Sequence, residues 1–394
     1  MNWQFLAFTV WLCLVIYLHF AFAHRELRAL KLEQPLEING RYVQIEDYFG
    51  QSFRQKLIEW LKLPRTVDQK TGEIVVAKGA ESIRVTGSVQ YEPYTSIDDI
   101  LVINGDLSCS AGCTFSREVY VKGNCAIGAG SKVQAIAVEG SLDLGPSASV
   151  TRWADSAGLI ALARGSRVQA RVTSRTAVHL GLQAEVASAF APQVMTAGRQ
   201  DRELPTRARP PETLVIPLDG ASPPESGRKG AFDAKKLYPI TPDCWLYNGS
   251  LELASPLHLK AKLIVKGHFS CPGDSLLEAD IKADGSLHVG QGSICKGNVV
   301  AGGDIVFGSF VRFEGIVHAG RRLWLSSGVR GGGASGLVAA YAVQRLFVAT
   351  DVVVRGKVAA GAGVIATPFS PAADGHHVKS VSDGVLADGV LAWA

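Results

Sequence analysis

Seven glycines recur along this chain at a nearly constant interval: Gly105, Gly123 and Gly140, then Gly249, Gly267, Gly285 and Gly303. Steps within the two groups are 18, 17, 18, 18 and 18 residues. Each glycine sits in the same short phrase. Val119-Tyr-Val-Lys-Gly123-Asn-Cys-Ala-Ile127 reads like Ile136-Ala-Val-Glu-Gly140-Ser-Leu-Asp-Leu144 and like Ile281-Lys-Ala-Asp-Gly285-Ser-Leu-His-Val289. A fixed period of this length is the signature of a solenoid, whose units must stack to bury a core. Solenoids build surfaces and assemblies more often than active sites.

Around each glycine the positions −4, −2, +2 and +4 are apolar, so these side chains share one face of an extended segment. Lys122, Glu139, Lys266 and Asp284 stand between them and suit solvent. A second glycine often follows five residues later, at Gly128, Gly145, Gly290 and Gly308. Glycine permits corner backbone angles and removes the Cβ where backbones crowd. Two corners so spaced within each repeat predict an all-β fold, a parallel triangular β-helix with three short sides per coil. About five coils in a first block and about six in a second would make a rod roughly 50 Å long. Exposed end coils must be covered or must bind another copy. Head-to-tail stacking of identical rods would give open filaments.

The repeats divide the chain. Block one covers residues 97–192, with clear register through Gly145 and later coils at Leu159–Ala163 and Ala177–Leu180. Residues 193–243 hold eight of the seventeen prolines and read as an exposed insertion or linker, since proline at that density cannot serve a sheet ladder. Block two covers residues 244–366, with a register slip expected after Gly320. The tail, 367–394, resembles no coil. Residues 24–96 form a juxtamembrane region with an amphipathic helix, in which Phe53, Leu57, Trp60 and Leu61 share one side. Ser52 is its expected cap and Pro64 its end. Such a helix covers an end of the solenoid or lies on lipid.

Residues 3–23 carry no formal charge, and at 1.5 Å rise they span about 30 Å, enough to cross a bilayer. His24, Arg25, Arg28 and Lys31 follow at once, so the positive-inside rule places the body in the cytoplasm, anchored to the inner membrane by a single N-terminal transmembrane helix in residues 1–23. Cleavage after Ala21-Phe-Ala23, which would make the protein periplasmic, is the rival reading. The net charge of +4 and the lack of a basic stripe argue against a nucleic-acid partner. Among the seven cysteines, Cys13 lies in the apolar segment. Cys109, Cys125 and Cys271 occupy apolar rung positions, as core filler would. Cys109-x-x-x-Cys113 has no partner pair for zinc, and no metal or cofactor is expected.

With these residues in hand, the chain resembles the polymer-forming cytoskeletal proteins of bacteria, the bactofilins. The likeness lies in rungs such as Ile103-Asn-Gly105-Asp-Leu107 and Val138-Glu-Gly140-Ser-Leu142, over residues 97–190 and 244–366. It implies a right-handed triangular β-helix that self-associates without a nucleotide and serves at the membrane as a scaffold for client proteins. A spanning segment, two blocks and the proline-rich insertion depart from that pattern.

Catalytic readings are weaker. Hexapeptide acyltransferases also build 18-residue coils, left-handed, and Ile127-Gly-Ala-Gly-Ser-Lys-Val133 resembles one of their units. They need a histidine base. His179, His258, His268, His288 and His318 fall at different repeat positions. Polysaccharide-degrading β-helices need clustered carboxylates, but Asp106 and Asp304 lie in different blocks and Asp143 has no acidic neighbour at its position. Gly331-Gly-Gly333-Ala-Ser-Gly336 matches G-x-G-x-x-G only formally, because repeat strands flank it; a helix over 337–346 would be its one support. The chain is expected not to be an enzyme.

Overall fold

The computed structural model describes residues 47–67, 73–78, 81–197, 214–216, 233–333 and 336–368. The expected anchor at residues 3–23 and most of the tail lie outside them. Among the described residues no helix is long and apolar enough to cross a membrane.

The described chain is a parallel β-solenoid of about 14 turns. Strand partners lie 17 or 18 residues apart, as in Val265↔Ala283, Ala283↔Ala301 and Ala301↔Ala319. At about 4.8 Å per rung the rod is about 65 Å long, longer than the coil count from sequence allowed. The excess comes from rungs outside the counted phrases, one of which keeps the phrase intact. The first coil starts at Glu81–Thr86, and Gly87-Ser88 is its corner, one period before Gly105.

Each coil has three sides, here the first, second and third faces, which in one coil are Ile281–Ala283, Leu287–Val289 and Ile294–Cys295. On the second face of block one, Leu107, Cys125, Leu142, Ile160 and Val178 stack in register. In block two the matching column runs Leu251, Phe269, Leu287, Ile305, Leu323, Leu346, Val364. Every one of these side chains is buried. A buried leucine contributes about 2 kcal/mol, so stability accrues rung by rung. After Gly320 the apolar positions shift by one relative to the glycine, to Leu323 and Leu325 as expected, and the strands keep the 18-residue step through Ile305↔Leu323 and Phe307↔Leu325. The period breaks once in block two, at Val317↔Ala340, where the step is five residues longer than the 18-residue repeat. The strands Val338–Ala342 and Leu346–Val348 follow, so no helix continues the glycine-rich phrase.

The blocks join tail to tail. The last strand of block one, Glu185–Thr196, runs antiparallel to the last of block two, Val353–Ala366, with Val186↔Val364, Ala189↔Val358 and Val194↔Val354. The Gln183 N–H donates to the Ala366 carbonyl (2.8 Å) and the Thr196 N–H to the Val352 carbonyl (3.1 Å), closing both margins. One hydrophobic core therefore runs from Leu101 through the seam to Ala366. The polypeptide is interrupted by its insertion, but the rod is not.

The helix Tyr48–Trp60 starts after Asp47, a capping residue type, and Ser52 lies inside it. It does not cover an end of the solenoid. Phe53 and Leu57 pack on the outer side of the first face of block one, against Ile83, Ile100, Val102, Ala137 and Trp153.

Candidate functional site

The repeat glycines mark the corner between the first and second faces, where each rung hands a hydrogen bond to the next. Gly123 N–H donates to the Gly105 carbonyl at 2.9 Å, and Gly303 N–H to that of Gly285 at 2.9 Å. A Cβ on Gly140 would lie 2.6 Å from the Gly123 carbonyl oxygen, and one on Gly285 3.0 Å from Gly267 backbone. Side chains of the residues after the glycines fill the remaining space. Asp106 Oδ1 accepts the Asn124 N–H at 2.7 Å, and Asn124 Oδ1 accepts that of Ser141 at 2.9 Å. In block two the ladder runs Ser250 Oγ to His268 N–H (3.0 Å), His268 Nδ1 to Ser286 N–H (2.9 Å), Ser286 Oγ to Asp304 N–H (3.3 Å) and Asp304 Oδ1 to Arg322 N–H (3.0 Å). Glycine followed by Ser, Asn, Asp or His is thus one device: the acceptor occupies the volume that a Cβ on the next rung would need.

Gly105, Gly123, Gly140, Gly267, Gly285 and Gly303 all meet this crowding. Gly249, on the first rung of block two, has open space and φ of +124° instead. Gly128, Gly145, Gly290 and Gly308 are also excluded from having a Cβ, since Gly145 would meet the Ile127 carbonyl at 2.8 Å and Gly308 the Gln291 amide at 2.7 Å. They do not carry the corner angle. The left-handed residues come two positions later, in a column of Tyr94, Gly112, Gly130, Ser147, Gly165 and Gln183 in block one and Asp274, Gly292, Phe310, Gly328 and Asp351 in block two. Tyr94 and Phe310 lay their rings over the glycine of the following rung, at Gly112 and Gly328.

The residues considered for chemistry are dispersed. His179 stands on the second face of block one beside Ala161. His258 Nε2 meets Glu278 at 3.0 Å, and Lys296 meets the same carboxylate at 2.9 Å, all on the exposed third face. The Lys296 and His258 hydrogen bonds hold Glu278 below the usual carboxylate range. His288 lies 3.3 Å from Ser270 Oγ, and His318 stacks on Tyr341 at 5.2 Å. Asp106 and Asp304 serve the corner ladders, while Asp143 stands between Ala126 and Ala161. Among the described residues no cluster of three His, Cys, Asp or Glu is placed to hold a metal. Cys109, Cys113, Cys125, Cys271 and Cys295 are buried free thiols and Cys244 is half-buried. Burial pushes Cys109 and Cys271 each up to about 11, so they are not nucleophiles at neutral pH.

Three features lie outside the repeat pattern. The helix is keyed to block one by Arg54, whose guanidinium pairs with Glu139 and with the buried Asp155. Its partners raise the Arg54 pKa against the opposing effect of burial. A Cβ at Gly50 would strike Asp155, so glycine lets the helix approach. The outer end of block one carries a charged plug: Arg84, on the inward register of the first coil beside Leu101, meets Asp99 at 2.6 Å and Glu73 at 3.0 Å. The outer end of block two is apolar, with Leu237, Trp245 and Tyr247 all buried. Both ends are also edged on the first face by an antiparallel strand, Ile74–Lys78 in block one and Leu237–Thr241 in block two. The insertion supplies the latter, and it adds Leu214–Ile216 beside Leu257–Leu259.

No family model matches the chain, and no curated protein or solved structure is significantly similar to it.

Proposed function

We propose that the chain is a membrane-anchored scaffold: residues 3–23 hold it to the inner membrane, the rod faces the cytoplasm, and it self-associates to position client proteins. One observation carries this reading. Both blocks are fused through Ala189↔Val358 and its neighbours into a single rod, stiffened along much of each block by glycine corners and their acceptor ladders. A long rigid body with polar side chains engaged in its own backbone is suited to spacing partners. The likeness of its Gly-Ser/Asn/Asp rungs to bactofilins favours the same reading.

The seam alters how such a rod would assemble. Both C-terminal rungs are consumed, so each free end is the N-terminal end of a block. Head-to-tail stacking is not available, and end-to-end association pairs ends of like polarity. The charged plug disfavours the block-one end, because stacking would desolvate Arg84, Glu73 and Asp99 together. Association therefore runs through the block-two end and gives pairs of rods in preference to filaments.

Expressing the full chain with a C-terminal reporter active only in the cytoplasm tests the topology. Signal with the protein retained in washed membranes is expected; a periplasmic signal would overturn the placement. Electron microscopy of the full chain in nanodiscs tests assembly, with paired rods expected and single rods contradicting self-association.

A further inference from the structure

The seam brings together charges that lie more than 150 residues apart in the chain. On the first face Thr173 pairs with Phe190, Phe190 with Lys357, and Lys357 with Ala339. Side chains alternate along these strands, and Val172, Val354 and Val358 are buried. Arg171, Arg175, Arg355 and Lys357 therefore point outward. Ala191 pairs with Gly356, which sets Arg175 and Arg355 two strand spacings apart, about 10 Å. Arg345 follows Val338–Ala342 at the corner of the next rung. Arg175, Arg345 and Arg355 are exposed. Residues 171–176, 187–193, 337–345 and 355–361 hold these five bases and no acid. Of the bordering carboxylates, Asp155 pairs with Arg54 and Glu185 with Arg167, and Glu314 stands one rung further out. The whole chain has a net charge of only +4, so its positive excess is gathered here. Neither segment alone makes a basic stripe, which is why none is legible in the sequence.

We propose that this face is a docking surface for an extended acidic segment of a client protein. The proposal rests on the scaffold reading only for the partner's being a protein. Charge complementarity calls for an anion, and arginine presents a planar fork that pairs bidentately with carboxylates. An extended chain lying along the strands turns every second side chain to the face, at intervals of about 6.8 Å. Acids four residues apart then meet Arg171 and Arg175, which are four residues apart on their own strand. Shape selects among anions. The helix Tyr48–Trp60 stands on the same face, about 10 Å thick, and the Arg171 guanidinium lies over its Phe49 ring at 5.7 Å. A planar bilayer or a stiff duplex meets that ridge first, whereas a single extended chain lies beside it. The seam strands are paired on both sides, Glu185–Thr196 with Arg167–Ser174 and Val353–Ala366 with Val338–Ala342, so the contact is made by side chains and not by strand addition.

The test uses the full chain in a neutral detergent and a fluorescein-labelled alternating Glu-Ala peptide, titrated by anisotropy. Saturable binding is expected, weakening about tenfold in R175E/R355E and by less than about twofold in K122E/K132E, which carries the same charge change on distant rungs. An alternating Lys-Ala peptide should bind R175E/R355E in preference to the unaltered chain. The milder R175Q/R355Q should weaken the acidic peptide about threefold, and it reads the same contact should charge reversal disturb folding. Equal weakening in the near and distant variants, or no binding of the acidic peptide, would overturn the proposal. So would tighter binding, dependent on Arg175 and Arg355, of a single-stranded oligonucleotide or of phosphatidylserine vesicles. Single rods or a periplasmic reporter would contradict the scaffold reading and leave this titration unaffected.

Discussion

On the first face of block one, a helix buries Ile100, Val102, Ala137 and Trp153 and locks itself down with Arg54; on the same face of block two, Ile316 and Tyr341 stand in solvent. At the outer ends the contrast is reversed in kind. Block one finishes in Arg84, Asp99 and Glu73, whereas block two finishes in Leu237, Trp245 and Tyr247. The rungs between are alike, with the same corners, the same acceptor ladders and the same aliphatic columns. A solenoid core thus says little about what each stretch does, and the distinguishing features lie in what is attached to it or left off.

The common part should be the costliest to disturb. A Cβ at Gly290 would be pressed into the Pro272–Gly273 backbone, and one at Gly128 into the Ser110 carbonyl, whereas Gly87 on the first rung has nothing within 4 Å. Gly290→Ala and Gly128→Ala are expected to destabilise by about 3 kcal/mol in urea melts, and Gly87→Ala by no more than about 0.5 kcal/mol. Equal losses at all three would erase the distinction between stacked and terminal corners.

The attached part should fail locally. Arg54→Ala leaves Asp155 buried without its cation, and a cost of about 3 kcal/mol is expected. Hydrogen exchange should rise over residues 48–60 and stay unchanged in block two. Rising exchange in both blocks would mean that the helix supports the whole rod.

Thiols in both blocks link stability to pH in one direction. Cys109 and Cys271 are raised by burial from 9.0 to about 11. The unfolded chain therefore loses these protons first. Their contribution is fully present below pH 9 and is lost as pH rises through 11, by on the order of 2–3 kcal/mol per thiol. Urea midpoints should fall between about pH 9 and about pH 11, and the Cys109→Ala/Cys271→Ala protein should show a shallower decline. The same slope with and without the thiols would contradict the assignment.

The smallest effect concerns a ladder step. His268 accepts the Ser286 N–H through Nδ1, where block one uses Asp106 and Asn124. His268→Ala should cost about 1 kcal/mol and His268→Asn should recover most of it. If Asn behaves like Ala in thermal melts, the two blocks do not share one corner chemistry.

Much of this was legible in the chain. The glycine period and the apolar −4, −2, +2 and +4 positions specify strand register, and Cys109, Cys125 and Cys271 take the inward places their positions indicate. Gly87-Ser88 obeys the same phrase and was countable. The left-handed corner lies two residues later than the second glycine, and the sequence does not mark it because Tyr94, Ser147, Gln183, Asp274, Phe310 and Asp351 occupy it as well as glycines. Crowding by a neighbouring rung, which excludes a Cβ at Gly128 and Gly290, leaves the same glycine in the sequence as a special φ would. The seam was hidden for a different reason. Glu185–Thr196 and Val353–Ala366 look like ordinary last rungs, and antiparallel pairing across more than 150 residues has no local signature. The keying of Arg54 to Glu139 and Asp155 is equally non-local, and nothing around Arg54 distinguishes it from a solvated helix face.

The tail-to-tail seam is the central claim, and severing the covalent link between the blocks tests it most directly. A protease site placed within residues 198–213 of the full chain, so that Leu214–Ile216 stays with block two, would be cut, and the product examined by size-exclusion chromatography without denaturant. If Val186, Ala189 and Val194 hold Val364, Val358 and Val354 as described, the two pieces co-elute at the position of the uncut protein. Separation into two independent folded species on cutting would contradict a single continuous rod.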